Sequence, residues 1–228
     1  MPSLKEDLVL SFIISLLFFI LIISPTPAPP NQNSPEFNDE TESLIPIVRI
    51  HYDYYPIDGT TAAELRSQML QDGSMSELEE RRYDAYTKWR VQWSYNHAMT
   101  EQGCMTASLE GQVDITFTLP QWDTPPNTSS SLIEAWNQYL AALQVHENGH
   151  MVNGLEAGID VLYTLSRSPA YSSCQELEAS VDTTTEQIIH YYNQQDINYD
   201  RHTQHGLTQG AVFPPAHPSA LREPRPQD

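Results

Sequence analysis

Two histidines and a glutamate in the segment "VHENGH", residues 145–150, have the types and spacing that suit metal-dependent hydrolysis. On a helix, His146 and His150 are four residues apart and share one face, so both imidazoles can reach one cation. Glu147 projects beside them, where it can hold a water at the metal and take its proton. The pattern predicts a Zn2+ cofactor bound by His146 and His150, with Glu147 as the general base.

A catalytic zinc usually has three protein ligands and a water, so a third ligand must be found. The extended pattern with glycine and histidine after the second histidine fails, because those positions hold Asn153 and Glu156. If the next helix turns back near Pro169, Glu178 lies more than about two turns from the level of His150. The remaining candidates follow the helix that carries His146 and His150, which we call the metal helix. They are Glu178, Glu186, His202 and His205.

We predict His205 as the third ligand. It lies in "TQHG", beyond the second helix, and a loop in that position can return over the metal helix. Glu156, Glu178, Glu186 and His202 remain open as alternatives. Tyr199 is predicted as a second catalytic residue, because a tyrosine near a zinc can donate to the oxyanion of a tetrahedral intermediate. Asp200 could orient a ligating histidine. A core tyrosine and a turn aspartate are the alternative interpretation of these two residues.

Two long amphipathic segments late in the chain would carry these residues. Ser131 and Glu134 predict a capping box for the metal helix, which Pro169 ends, and Ser173 caps a second helix. Earlier, "IVRIHYDYYPI", "WRVQWSYN" and "QVDITFTL" are typical of strands, and a capped helix, "TTAAELRSQMLQDG", follows the first of them. Strands early and long helices late predict an α+β fold, with a small antiparallel sheet packed on the helix that carries HENGH.

The N-terminus predicts export. Leu8–Ile23 is an uncharged apolar run of the kind found in signal peptides and short membrane anchors. We therefore divide the chain into a signal or anchor at 1–24, a disordered linker at 25–45 rich in Pro, Asn and acidic residues, a metallohydrolase domain at 46–210, and a Pro-rich disordered tail at 211–228. This division predicts an extracytoplasmic protein of the periplasm or cell envelope, with membrane contact at its N-terminus.

Charge and cysteine content limit the partners and the compartment. The net charge of −19 argues against nucleic acid, whose binding depends on basic contacts. Cys104 and Cys174 are the only two cysteines, and in an oxidising compartment they predict a disulfide. Two separate buried thiols are the alternative. The sequence leaves the oligomeric state open.

The chain also resembles a bacterial family that is catalogued as a domain of unknown function and described as predicted secreted zinc-dependent proteases. The resemblance rests on segments in matching order, namely "YYPIDGTTAAELRSQM", "WRVQWSY" before Cys104, "TLPQW", "WNQYLAALQVHENGH", Cys174 in the next helix, and "YDRHTQHG" with "TQGA". It implies a zincin-like fold and a peptidase activity, with His146, Glu147, His150 and His205 in the site.

These observations predict an exported zinc metallohydrolase, namely a peptidase that acts on a protein or peptide substrate. Two alternatives remain open. One is a non-catalytic envelope binding module that keeps the metal for stability, and the other is a zinc amidase acting on cell-wall peptides. Metal content and the substrate that is cleaved distinguish the three.

Overall fold

The computed structural model describes residues 44–76 and 81–215. Within them the chain forms a three-stranded sheet, a short hairpin and three α-helices, so the predicted α+β class is confirmed. In chain order the elements are β1 (Ile47–Ile57), α1 (Ala62–Asp72), β2 (Ser74–Ser76), β3 (Arg81–Tyr83), β4 (Tyr86–Thr100), β5 (Gly103–Trp122), α2 (Ser130–Ser166), α3 (Cys174–Thr203) and a 3-10 helix at Leu207–Gln209.

The main sheet has the order β1-β5-β4 and is mixed. Strands β4 and β5 form an antiparallel hairpin, whereas β1 runs parallel to β5, with Ile47 opposite Gln112. The prediction of an antiparallel sheet is therefore wrong for β1. The physical reason is the long connection between β1 and β5, since α1, the β2–β3 hairpin and β4 all intervene and provide the crossover that parallel pairing requires.

One face of the sheet packs against α2. The alternating residues Val113, Ile115 and Phe117 of β5 are fully buried on that face, as the sequence pattern predicts. Helix α2 approaches closely because it places glycines at the contact. A Cβ on Gly158 would lie 2.3 Å from Val113, and one on Gly154 would lie 2.6 Å from Trp89. The face of α2 that carries the HENGH segment is thereby held against the sheet.

The helix starts follow capping rules, with one correction. The Thr61 side chain caps α1 in a reciprocal capping box with Glu64, and the Ser173 hydroxyl caps α3 by accepting from the Glu176 amide, as predicted. Helix α2 begins earlier than expected. Its cap is Ser129, whose hydroxyl accepts from the Leu132 amide, so the predicted box at Ser131 does not form.

The disulfide between Cys104 and Cys174 is present, which confirms that prediction. It joins the start of β5 to the first residue of α3, and its two Cα atoms are 5.1 Å apart. The Cys104 amide donates to the Tyr171 carbonyl, and the Tyr171 amide donates back to Cys104. The segment between the two long helices is thus fixed to the sheet.

The folded body extends past the predicted boundary at 210. Ala211 and Phe213 are buried in the main core, where the Phe213 ring packs 5.4 Å from Trp136 and 5.2 Å from Tyr139. The boundary is wrong because a phenylalanine can fill the core even within a Pro-rich stretch.

Residues 216–228 lie outside the described residues, as do the predicted signal or anchor and residues 25–43 of the linker. In the described part of the chain, no helix is both long enough and apolar enough to cross a bilayer.

Candidate metal centre

His146, Glu147 and His150 all lie on the inward face of α2. They are 3%, 3% and 8% exposed, although each is polar or charged. The four-residue spacing brings the two imidazole centroids to 5.0 Å from each other. Buried polar groups are stable only with partners, so the surrounding contacts decide what this cluster can do.

The third member of the cluster is Asp200, near the end of α3. Its Oδ1 lies 3.2 Å from His146 Nε2 and 3.2 Å from His150 Nε2. One atom from each of the three residues fits within a group whose members are no more than 4.8 Å apart. A tetrahedral zinc with bonds of about 2.1 Å would hold its ligand atoms roughly 3.4 Å from one another. The observed separations from Oδ1 fit zinc.

The opposite ring nitrogens of both histidines have their own partners. His146 Nδ1 lies 3.1 Å from Gln209 Oε1, and His150 Nδ1 lies 3.0 Å from Asp196 Oδ1. With Nδ1 as the donor to these oxygens, each neutral imidazole keeps its Nε2 lone pair for a metal. This arrangement, in which an oxygen orients the ligating ring, is typical of metal-binding histidines.

Asp196 is the centre of a small hydrogen-bond network. Trp89 Nε1 on β4 donates to its Oδ2 at 2.6 Å, and Asn153 Nδ2 on α2 donates to its Oδ1 at 2.6 Å. With His150, three donors from two elements therefore converge on one carboxylate of α3. The network fixes the His150 ring relative to both the sheet and the second helix.

Tyr199 packs against the two imidazoles. Its ring stacks on His146 at 5.1 Å and 8°, and meets His150 edge-on at 5.2 Å. Gly149 makes this possible, because a Cβ there would lie 2.1 Å from the Tyr199 ring. The Tyr199 hydroxyl accepts a hydrogen bond from Gln209 Nε2 at 3.0 Å. The structure thus packs Tyr199 against both imidazole rings and joins its hydroxyl to Gln209.

Glu147 is held by the sheet. The Thr87 hydroxyl on β4 donates to Glu147 Oε2 at 2.6 Å. Burial raises the pKa of the Glu147 carboxyl, while the Thr87 hydrogen bond and the neighbouring histidines oppose this shift. A carboxylate with a raised pKa and a fixed position has the properties of a general base.

Interactions between His150 of α2 and the aspartates of α3 shift the pKa values of His150 and Asp200. Burial lowers the pKa of His150, but its hydrogen bonds to Asp196 and Asp200 outweigh that effect and raise its pKa to about 10. Burial raises the pKa of Asp200, but its bonds to His146 and His150 outweigh that effect and hold the pKa well below its usual range. Asp200 is therefore an anion that can serve as an oxygen ligand.

A cleft of about 1060 Å³ opens over this cluster. His146, Glu147, His150 and Asp200 line it together with Tyr86, the first residue of β4. Tyr199 is not among the described residues that line the cleft. Burial raises the pKa of the Tyr86 hydroxyl, with smaller contributions from Asp196, Asp200 and Glu147, so the hydroxyl keeps its proton at neutral pH.

His205, the predicted third ligand, lies at the edge of the cluster. Its Nδ1 is 3.4 Å from Asp200 Oδ1, and its ring packs 4.9 Å from that of Tyr83. It is not in the compact group that His146, His150 and Asp200 form among the described residues. The structure therefore places Asp200 with the two imidazoles and His205 beside them, because α3 continues to Thr203 and carries Asp200 to the imidazoles itself.

None of the alternative ligands belongs to the compact group. Glu156 and Glu186 are exposed, and Glu178 lies 3.9 Å from His97. His202 is exposed, and its Nδ1 lies 2.6 Å from the Asn198 carbonyl oxygen. The part of α3 that contacts His150 contains Asp196 and Asp200.

Sequence reasoning missed Asp196, Thr87 and Gln209, and gave Asp200 only an orienting role. One signal was available. Asp196 and Asp200 are four residues apart on a helix, as His146 and His150 are, so each pair presents one face to the other. Thr87 and Gln209 carry no comparable sequence signal, because only the fold brings them near α2.

Comparison with known proteins gives one match. The model of a family described as a bacterial protein of unknown function, DUF922, matches residues 52–206. None of the curated proteins and none of the solved structures compared with the chain matches it. The matched segment contains the HENGH residues, Asp196, Asp200 and both cysteines. Because the match covers more than half of the chain, this protein belongs to that family of bacterial proteins.

Proposed function

We propose that this protein is an exported zinc-dependent metallohydrolase that cleaves peptide bonds. The observation that supports the proposal most strongly is the convergence of His146 Nε2, His150 Nε2 and an Asp200 oxygen, with Glu147 beside them in an open cleft. Two nitrogens and one carboxylate oxygen are ligands that zinc accepts in hydrolytic sites. The HENGH helix packed under a sheet supports a zincin-like interpretation of the fold.

Three residues would hold the metal, and a fourth tetrahedral position would remain for water or substrate. When bound there, zinc would supply Lewis-acid polarisation of the substrate carbonyl and would lower the pKa of a water. Gln209 and Asp196 fix the two imidazoles through their Nδ1 atoms. The ligand set is therefore oriented before metal arrives, which reduces the cost of assembling the site.

Glu147 acts as the proton carrier. Its carboxylate takes a proton from the attacking water and then delivers it to the amine nitrogen that leaves. The Thr87 hydroxyl holds one carboxylate oxygen, which keeps the other available for the water. Burial raises the pKa of the Glu147 carboxyl, which favours the protonated form that this side chain takes between the two proton transfers.

Tyr86 takes the role that the sequence suggested for Tyr199. It lines the cleft with Glu147, and its hydroxyl keeps its proton at neutral pH because burial and nearby carboxylates raise its pKa. A protonated phenol in that position can donate to the oxygen of the scissile carbonyl as negative charge develops on it. Tyr86→Phe is expected to lower kcat by about 100-fold, the usual effect of removing one such donor.

The extracytoplasmic location is supported by the apolar run at Leu8–Ile23 and by the disulfide between Cys104 and Cys174. Disulfides persist mainly in oxidising compartments. A protein of the periplasm or cell envelope that is attached to the membrane by its N-terminus would meet protein and peptide substrates there.

The test compares metal content and cleavage in matched variants of the full chain. Mass spectrometry of the purified protein should find about one zinc per chain, as expected for a single site of this kind. His146→Ala, His150→Ala and Asp200→Ala should lose the metal, whereas His205→Ala should retain it. Glu147→Gln should retain zinc and lose hydrolysis, because the amide cannot carry the proton.

The choice of substrate separates the alternatives. Each variant should be incubated with a denatured protein and, separately, with cell-wall peptides, and the products identified by mass spectrometry. Cleavage of the denatured protein that Glu147→Gln abolishes would support the peptidase, and cleavage of wall peptides alone would support the amidase. Zinc binding without cleavage of either would leave a metal-stabilised binding module. Full metal retention in the His146→Ala, His150→Ala double variant would exclude the zinc site.

A further inference from the structure

Strand β1 carries an apolar strip that the protein leaves half exposed. Val48, Ile50, Tyr52 and Tyr54 alternate along the strand, and each is between 43% and 53% exposed. Their register partners on β5 are the core residues Val113, Ile115, Phe117 and Leu119. Because paired residues in neighbouring strands share a face, the core face of the sheet continues onto β1. Tyr52 stacks on Phe117 at 5.0 Å, which agrees with this placement.

The outer edge of β1 is also free within the described part of the chain. The sheet order places β1 at one end, and only β5 pairs with it among residues 44–76 and 81–215. The strand has 11 residues, which is long for an edge strand, and none of its central residues is a proline. Unpaired edges with apolar side chains attract other strands, and proteins usually protect them. An occupant is therefore expected.

The sequence of β1 is complementary to itself. If two copies pair antiparallel about His51, each residue faces the one equally distant from His51 on the other side. Arg49 then faces Asp53, and both side chains are exposed on the polar face. On the apolar face, Ile50 faces Tyr52 of the second copy. Opposite charges and pairs of aromatic with β-branched residues are the cross-strand pairs that stabilise antiparallel sheets.

The remaining pairs fit the same register. Val48 faces Tyr54 of the second copy, which continues the apolar strip across the junction. Pro46 faces Pro56, and since proline has no amide hydrogen to donate, the pairing ends at both limits of the strand. In this one register, opposite charges face each other, apolar side chains face apolar side chains, and the prolines face each other. A shift of the register by one residue would separate all of these pairs.

We propose that this protein forms a homodimer in which the β1 strands of two copies pair antiparallel about His51. The two three-stranded sheets become one six-stranded sheet, and the apolar strips of the two copies lie side by side on one face of it. The proposal is independent of the zinc site, whose residues lie on α2 and α3. A segment of the chain's own terminus or a different protein on β1 would be a different occupant, and the experiments below distinguish these.

Charge exchange tests the register. The full chain, purified in detergent, should sediment as a dimer, and Arg49→Asp should weaken dimerisation about tenfold or more, because two attractive pairs become repulsive. Asp53→Arg should have the same effect. The double variant Arg49→Asp, Asp53→Arg should restore dimerisation to near the wild-type level. A monomer in the wild type, or a dimer that Arg49→Asp leaves unchanged, would overturn the proposal.

Cysteine cross-linking tests the position of the axis. Both native cysteines are in the disulfide, so an introduced thiol is the only free one in the chain. Under mild oxidation His51→Cys should form a covalent dimer, whereas Arg49→Cys alone should not, because its two copies would lie about 13 Å apart. A mixture of Arg49→Cys and Asp53→Cys chains should link. The pairing is refuted if His51→Cys forms no covalent dimer. It is also refuted if His51→Cys alone, Arg49→Cys alone and the mixture of Arg49→Cys with Asp53→Cys all cross-link to the same extent.

Discussion

Asp196 controls the orientation of His150, so replacing it with asparagine should weaken zinc binding without removing a ligand. The carboxylate accepts from His150 Nδ1 at 3.0 Å, from Trp89 Nε1 at 2.6 Å and from Asn153 Nδ2 at 2.6 Å. Asparagine has one acceptor oxygen and one amino group that only donates. Whichever way the amide turns, at least one of these donors faces another donor.

The magnitude follows from the bond that is lost. A hydrogen bond to a charged group contributes about 1.5–3 kcal/mol, and each 1.4 kcal/mol corresponds to a factor of about ten in a binding constant. Replacing partners that orient metal-binding histidines typically costs about 10- to 100-fold in metal affinity. Both arguments predict that Asp196→Asn raises the Kd for zinc by about 10- to 100-fold.

The assay is a competition titration against a chromophoric chelator at fixed pH, with circular dichroism to verify folding. Asp182→Asn is the matched control, because Asp182 is an exposed aspartate on the same helix. It should bind zinc as the wild type does. If Asp196→Asn binds zinc within about twofold of the wild type, the network does not orient the ligand in the way that its geometry implies. An equal loss in Asp182→Asn would point to a general charge effect.

Three further predictions concern the base, the disulfide and the metal helix. Thr87→Val should raise the pKa of the Glu147 carboxyl further, because the hydroxyl that stabilises the carboxylate is lost, and the acid limb of the kcat/KM profile should move to higher pH. An unmoved limb would mean that Thr87 does not stabilise the carboxylate. Replacing Cys104 and Cys174 by alanine opens a loop with a sequence separation of 70 and should lower the free energy of unfolding by about 4 kcal/mol, measured by denaturant titration. A loss near zero would contradict the chain-entropy argument. After chelation of the metal, the raised pKa of His150 contributes stability that is fully present below about pH 6.5 and is lost as pH rises through about 10. This dependence should disappear in His150→Asn, and its persistence there would assign it to another group.

The local parts of the site could be predicted because helix geometry is local. His146, Glu147 and His150 share a face wherever a helix forms, and the amphipathic pattern of α2 turns that face inward. The Tyr199 ring, by contrast, reaches this helix at Gly149 only through the tertiary fold. The helix caps at Thr61 and Ser173 could also be predicted from the sequence, since each depends on residues within one helical turn.

The features of the site that could not be predicted depend on contacts between residues that are far apart in the sequence, which no local rule determines. The level at which α3 crosses α2 determines whether Asp196 and Asp200, or residues a turn or more away, face the histidines. That level depends on where the helices begin and on how the Cys104–Cys174 disulfide holds the segment between them. A difference of two turns in this level places other residues of α3 opposite the histidines.

By itself, the sequence determined the α+β class, the two histidines and the glutamate of the metal helix, and the cysteine pair. Only the tertiary structure decided that Asp200 completes the group and that Thr87 of β4 holds Glu147. It also decided that β1 lies parallel to β5 and leaves an apolar edge. The physical reason is the range of the interactions, since helical periodicity acts within a few residues, whereas packing brings together side chains that are 50 or 60 positions apart.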